Sequence, residues 1–365
     1  MKSYSFRISS LQEKIKTHQA ILLASASDNF YFTGFEQLTN NEREAFTIIS
    51  KKQAFLIHNS FSPTPSDNKK LIKIPGCQLK NLTEQVTKIV QNEKITELLI
   101  DEDHVSVAEY KALAKIKKLK LLELDKNLTW QLRMVKDEQE IKKMIKAAQI
   151  ANKVMVSIEK KFKVGISEKK LALILEERMR KLGSEKRAFP TIVAFGTNSA
   201  LPHHQPTGKK LKKNMAILID MGAVFENYCS DMTRTFWFAK KAPAEFNKIE
   251  KTVKKAYQGA ISFLNQKLKQ FKTEIITDAK SIDQTARSII EKAGFKDYFI
   301  HTTGHGLGLD IHEPPSLSWK NEQAIKKNMI ITIEPGIYLK DKFGYRYENT
   351  IWVGENGIEE LTLSC

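Results

Sequence analysis

The amino-acid sequence predicts an α/β N-terminal domain followed by an α+β C-terminal domain with internal pseudo-two-fold symmetry, and three observations carry that expectation. A chain of 365 residues exceeds the roughly 250–300 at which one hydrophobic core stops growing, so two domains are expected. The first third alternates apolar strand-like runs with amphipathic stretches, as an α/β sheet domain does. Further on, "MAILIDMGAVFENYCSDMTRTFWF" and "MIITIEPGIYLKDKFGYRYENTIWV" repeat one plan: strand, acid, glycine-containing turn, returning strand, acid.

The N-terminal elements follow in order. "AILLAS" at 20–25 reads as a first strand and not as a secretory leader, because a charged stretch containing Glu13 precedes it. "FTIIS", "QAFLIH", "ELLID" and "KLLEL" supply further strands, interrupted by the amphipathic "EQVTKIVQ" and "VAEYKALAKIKKL". A mixed or parallel sheet is expected. Pro, Ser, Asp and Asn in "SFSPTPSDNKK", residues 60–70, mark a surface loop. No chemistry is concentrated in this part.

Helical spacing then takes over at Ile141, Met144, Ile145, Ala148, Ala151, Met155 and Ile158, behind acids suited to a helix N-terminus. The boundary falls near 130–136, giving expected domains of 1–130 and 131–365. Ser167 as cap and Gly183 as stop bound a second helix. Beyond it lie a loop rich in His and Pro, the first hairpin, a long helical region over about 244–294, and the second hairpin. The acids are Asp220 and Asp231 in the first copy, and Glu334 and Glu348 follow them 114 and 117 positions later. Two halves related by a pseudo-two-fold would bring the four acids together at its centre.

Composition excludes several classes. With 41% hydrophobic and 28% charged residues, and no apolar run near the ~20 residues of a membrane helix, a soluble protein without membrane association is expected. Cys77, Cys229 and Cys365 are odd in number, far apart and without CxxC spacing. They support neither a disulfide framework nor a thiolate zinc site, and a cytoplasmic location is expected. The net charge of +17 is spread along the chain, and basic runs such as Lys209 to Lys213 lack interleaved aromatics. A solvated basic surface is expected, without nucleic acid as a partner.

Strand alternation puts Asp220 on one face with Ala216 and Leu218, Asp231 with Cys229 and Thr233, Glu334 with Thr332, and Glu348 with Arg346 and Thr350. A single acid at a strand end usually caps a turn or pairs with lysine. Four converging, half-buried carboxylates repel one another by several kcal/mol unless a cation sits among them. Ahead of the second hairpin, "HTTGHGLGLDIHEPP" places His301, His305 and His312 in a glycine-rich loop, more imidazole than packing needs. One imidazole with four carboxylates suits a pair of Mn, Co, Fe or Zn ions. Two bridged ions activate water and polarise a carbonyl, which is the chemistry of amide or ester hydrolysis.

Together "TIVAFGTNSALPHHQPT", "DMGAVFENYCSDMTRT", "HTTGHGLGLDIHEPP", "ITIEPGIY" and "YRYENT" closely resemble the pita-bread metallopeptidases, in the branch of Xaa-Pro aminopeptidase (aminopeptidase P) and Xaa-Pro dipeptidase (prolidase). Over roughly 136–365 the resemblance is strong. "SDNFYFTGF" resembles the creatinase-type N-terminal domain more weakly. The resemblance implies a creatinase-type α/β domain joined to an α+β pita-bread catalytic domain. It also implies five metal ligands at Asp220, Asp231, His305, Glu334 and Glu348, with Asp231 and Glu348 bridging two divalent ions per subunit, manganese foremost. Glu334 would be the general base or proton shuttle. His312 would assist the scissile peptide and its tetrahedral intermediate, and His203 would approach the substrate near the leaving proline. His301 and Arg346 complete the expected substrate-binding set. Two positions depart from the family pattern: Asn349 stands where many relatives carry Asp, and Tyr347 where Ile or Val is usual.

The leading expectation is a dinuclear metal-dependent Xaa-Pro aminopeptidase, a homodimer acting on peptides with proline second. An N-terminal domain of this size is large enough to cover one side of a cleft, whereas a strict dipeptidase also needs a group to capture the free carboxylate beside proline. The alternative is Xaa-Pro dipeptidase. A metal-free creatinase type or a non-catalytic binding protein would usually have lost ligand residues, and none is lost here. A methionine aminopeptidase usually needs only the catalytic domain.

Overall fold

The computed structural model describes residues 3–38, 42–65, 68, 71–271 and 273–362. Cys365 and residues 66, 67, 69 and 70 of the expected surface loop lie outside them. The chain divides into two units, Met1–Arg133 and Met134–Cys365.

The first unit holds a six-stranded mixed sheet built from β1 (Gln19–Leu23), β2 (Ala45–Ser50), β3 (Ala54–His58), β4 (Leu71–Pro75), β5 (Glu97–Ile100) and β6 (Lys120–Glu123). Their order is β4-β3-β2-β1-β5-β6. The pairs β1–β2 and β2–β3 are antiparallel, and the others are parallel. Helices α1 (Tyr4–Gln12), α2 (Ala26–Thr33), α3 (Leu79–Asn92), α4 (Val107–Leu113) and α5 (Asn127–Met134) accompany it. Leu82, Val86 and Ile89 of α3 sit one helical turn apart, so they present one apolar stripe to Leu22, Ile48, Ile57 and Leu98 of the sheet. Ser106 and Glu109 start α4 with a reciprocal capping box.

The second unit opens with α6 (Glu138–Ile158), capped by Asp137 and Glu140, and α7 (Glu168–Lys181), capped by Ser167. Then come β7 (Ile192–Phe195), β8 (Met215–Met221), the short pair β9 (Val224–Phe225) and β10 (Tyr228–Cys229), and β11 (Met232–Phe238). The expected single helical region is two helices, α8 (Ala244–Gln270) and α9 (Ala279–Lys292), parted by β12 (Ile275–Asp278). Asp278 ends that strand and caps α9 through Ser281 N–H, which is why the apolar pattern runs on while the helix does not. Next are β13 (Gly304–Gly306), β14 (Glu313–Leu317), β15 (Ala324–Lys326), β16 (Ile330–Ile333), β17 (Gly336–Leu339), β18 (Phe343–Arg346), β19 (Glu348–Val353) and β20 (Ile358–Glu360).

The internal symmetry is visible in the strand order β14-β13-β16-β19-β11-β8-β7. Each half contributes an antiparallel pair, β8 with β11 and β16 with β19, and each pair is interrupted by a smaller hairpin, β9–β10 or β17–β18. The halves meet where β11 pairs with β19, Thr233 opposite Glu348. Each half also has its helix pair: α6 and α7 pack on Ile217, Ile219, Met221 and Met232, and α8 and α9 on Ile331, Ile333, Ile351 and Val353. Because successive strand residues point to opposite faces, Asp220, Thr233, Thr332 and Glu348 then lie on the face turned away from those helices. That face is where the chemistry collects. Tyr347 and Asn349 take the helix side. There Tyr347 stacks on Tyr257, and Asn349 bonds the Tyr257 hydroxyl and Glu360 while accepting from Arg234.

Candidate metal centre

Asp220 is the penultimate residue of β8, opposite Thr233 of β11. Asp231 lies at the foot of β11, where its N–H donates to Thr350 Oγ1 at 3.1 Å and its carbonyl accepts from the same hydroxyl at 2.8 Å. Glu348 begins β19, and its Oε2 accepts from Thr233 Oγ1 at 2.5 Å. Glu334 follows β16, with Oε1 accepting from Thr332 Oγ1 at 3.1 Å. His305, the middle residue of β13, is held by Thr332 Oγ1 on its N–H. A Cβ at Gly304 would come within 2.0 Å of the Thr332 carbonyl, so only glycine lets β13 approach closely enough to place His305 there.

One ligand atom from each of Asp231, His305 and Glu348 lies within 4.8 Å of the other two. His305 Nε2 is 3.4 Å from Glu334 Oε1 and 3.7 Å from Asp231 Oδ2. Its Nδ1 is 3.0 Å from the Gly306 carbonyl. A carbonyl can only accept, so the ring hydrogen belongs on Nδ1 and the Nε2 lone pair faces the carboxylates. Asp220 enters from the side: Arg346 Nη2 donates to its Oδ2 at 2.6 Å.

The electrostatics are those of crowded acids. Burial first, then Glu348, Asp220 and Glu334, pushes Asp231 well above the usual carboxylate range. Burial and the neighbouring acids push Glu348 up in the same way. Glu334 is pushed up to about 7, by burial first and then Asp220, against the pull of Arg346. Asp220 Oδ1 and Asp231 Oδ1 are buried without a hydrogen-bond partner. Acceptors facing acceptors, with an imidazole lone pair among them, form a donor set that one or more divalent cations would satisfy.

The remaining expected residues take varied places. His312 stacks edge-on against His305, ring centroids 4.5 Å apart, and burial followed by His305 lowers its pKa. His301 is occupied at both nitrogens, Nδ1 by the Thr302 carbonyl at 2.7 Å and Nε2 by the Tyr338 hydroxyl at 2.8 Å. Burial, then the Arg346 charge, brings His301 down to about 3, so it stays neutral. Arg346 is likewise engaged: Nε donates to Thr233 Oγ1, Nη1 to the Tyr338 hydroxyl and Nη2 to Asp220. It orients protein groups on the acid face instead of reaching outward. His203 is exposed on the loop after β7, close enough to act electrostatically on His301 and His312.

Three contributors carry roles that the sequence did not assign. Thr233 and Thr332 orient Glu348 and Glu334, and both were legible as same-face neighbours two residues from an acid. Tyr338 links Arg346 to His301 from the β17–β18 hairpin, which reads in the sequence as a plain turn.

Residues 142–355 match the model of metallopeptidase family M24, and residues 7–135 that of the creatinase/prolidase N-terminal domain. A Xaa-Pro dipeptidase of Pyrococcus furiosus is 31% identical over 342 residues, 94% of this chain and 92% of that protein. The structure of a Xaa-Pro dipeptidase from Bacillus anthracis superposes with a TM-score of 0.88 at 28% identity, covering 100% of this chain and 98% of that one. For an X-Pro aminopeptidase from Thermotoga maritima the TM-score is 0.80 at 30% identity, with 97% and 98% covered.

Proposed function

The chain belongs to metallopeptidase family M24, and on that premise we propose that it is a proline-specific peptidase that cleaves Xaa-Pro dipeptides foremost. The observation that carries the reading is the match to the Bacillus anthracis Xaa-Pro dipeptidase over both units and nearly the whole of both chains. The dipeptidase of Pyrococcus furiosus points the same way. Together they outweigh the expectation of an aminopeptidase, which rested on the size of the N-terminal domain. That second reading keeps two supports: the Thermotoga maritima aminopeptidase at 30% identity, and the hydrogen bonds of Arg346 to Thr233, Tyr338 and Asp220, which commit three of its five N–H groups to protein acceptors in place of a dipeptide's carboxylate.

In this reading Asp220, Asp231, His305, Glu334 and Glu348 would hold two divalent cations, Asp231 and Glu348 serving both. When bound, the cations polarise the scissile carbonyl and make water nucleophilic near neutral pH. Glu334 can take a proton from the attacking water and hand it to the departing proline nitrogen. His312 donates a hydrogen bond to the oxygen that gains charge, and His203 meets the substrate near its proline. Arg346 and Tyr338 keep Asp220 and His301 in place. An imide bond before proline has no N–H, so a pocket shaped for the pyrrolidine ring excludes other residues at little cost to itself.

Hydrolysis of Ala-Pro, Ala-Pro-Ala and Ala-Ala by metal-supplemented enzyme tests the assignment. The reading expects Ala-Pro to give the highest kcat/KM and Ala-Ala to be cleaved at least about tenfold less well, a difference of about 1.4 kcal/mol. Faster cleavage of Ala-Pro-Ala than of Ala-Pro would establish the aminopeptidase instead.

A further inference from the structure

One carboxylate away from the metal-type cluster is fully buried and surrounded by donors. Glu168, at the start of α7, is 0% exposed. Its Oε1 accepts from Phe195 N–H at 2.8 Å and from Asn198 Nδ2 at 2.9 Å. Its Oε2 accepts from Thr207 N–H at 2.9 Å and Thr207 Oγ1 at 2.6 Å, and lies 2.9 Å from His204 Nε2. Thr207 Oγ1 itself accepts from Lys209 N–H, so its hydrogen is committed to Glu168. Burial alone would raise this carboxyl, but Thr207, His204 and the two amides hold it below the usual range.

These partners belong to one piece of chain. Phe195 and Thr207 bracket the loop that carries His203 at its exposed tip, so one carboxylate ties both ends of that loop together. The loop is also seated on β18. Ser199 Oγ accepts from Gly344 N–H at 2.9 Å, and a Cβ at Gly344 would come within 2.0 Å of the Ser199 carbonyl. A compact surface loop closed at its neck and packed along one side presents its tip in one place.

We infer that Glu168 is a positioning residue for the substrate-side loop 196–206, fixing the approach of His203 to the bound peptide. The inference rests on the role proposed above for His203. Four of the five partners donate to Glu168, and His204 Nε2 donates as the fifth when it carries the ring hydrogen, so the position requires a group that only accepts. Glutamine keeps the shape but turns half of it into a donor facing donors.

The test uses the full chain with its metal. Glu168→Gln is expected to lower kcat/KM for an Xaa-Pro substrate by about 10²-fold, as loss of alignment does, while bound metal stays at the parent level. The loss should divide between KM and kcat as it does in His203→Ala. The double variant should be no slower than His203→Ala alone, because both changes remove one contribution. Faster backbone hydrogen exchange over residues 196–206 in Glu168→Gln is expected whatever the substrate. Losses that multiply in the double variant, or unchanged exchange, would overturn the inference. If Glu168→Gln does not fold, Thr207→Val removes a single donor and enters the same cycle with the same expectations. A parent enzyme inactive on every Xaa-Pro peptide would refute the functional reading, whereas the exchange comparison would still decide whether Glu168 holds the loop.

Discussion

Asp231→Ala is expected to leave a folded protein that retains almost no divalent metal and turns over Xaa-Pro substrates about 10³-fold more slowly or worse. The backbone at Asp231 is secured independently of its side chain, through the Thr350 hydroxyl on both its N–H and its carbonyl. Alanine therefore removes the carboxylate and little else. That carboxylate is 4% exposed, carries an unpartnered Oδ1, and is pushed upward by burial and by three neighbouring acids. Without metal its loss relieves repulsion, so the chelated variant should melt no lower than the chelated parent. Metal content, turnover and thermal melting on the same preparation separate the possibilities. Two equivalents of metal retained by the variant would remove Asp231 from the shared position; a lower melting point in chelator would mean that the residue is mainly structural.

His312→Ala is expected to do the opposite to metal, leaving its content at the parent level while kcat falls by about 10²–10³-fold. His312 stands edge-on to His305 but supplies no atom to the Asp231, His305 and Glu348 cluster. Burial and the adjacent imidazole keep its ring in the neutral form, able to donate one hydrogen bond to an oxygen that gains charge during reaction. Loss of metal with little change in kcat would mean that His305 and His312 have each other's roles.

Much of the fold was legible because each signal is local. Five of the six N-terminal strands announce themselves as β-branched and apolar runs between polar breaks, and the mixed sheet follows; the edge strand β4, with exposed residues and a closing proline, escaped the sequence reading. The duplicated plan was readable because each of the four acids sits at the end or start of an apolar strand, and strand alternation then dictates which face they share. The smaller hairpins were not: Gly336 to Arg346 reads as a glycine-containing turn, yet it folds into its own pair of strands and brings Tyr338 to His301 and Arg346. Glu168 was invisible for a different reason. Its partners lie 27 to 39 residues further along, and nothing in a helix-opening "SEKK" separates a buried staple from an ordinary first-turn acid. Periodicity reports which face a residue takes, not which distant donors converge on it. The choice between dipeptidase and aminopeptidase was least legible, since both reactions use the same acids and imidazoles.

The most direct test of the account is metal titration of the chelated enzyme, followed by hydrolysis of an Xaa-Pro dipeptide at each addition. No turnover is expected in chelator, with two bound divalent ions per chain at saturation and activity that rises with their binding. Undiminished hydrolysis in the metal-free protein, or saturation with no ion bound among Asp220, Asp231, His305, Glu334 and Glu348, would contradict it.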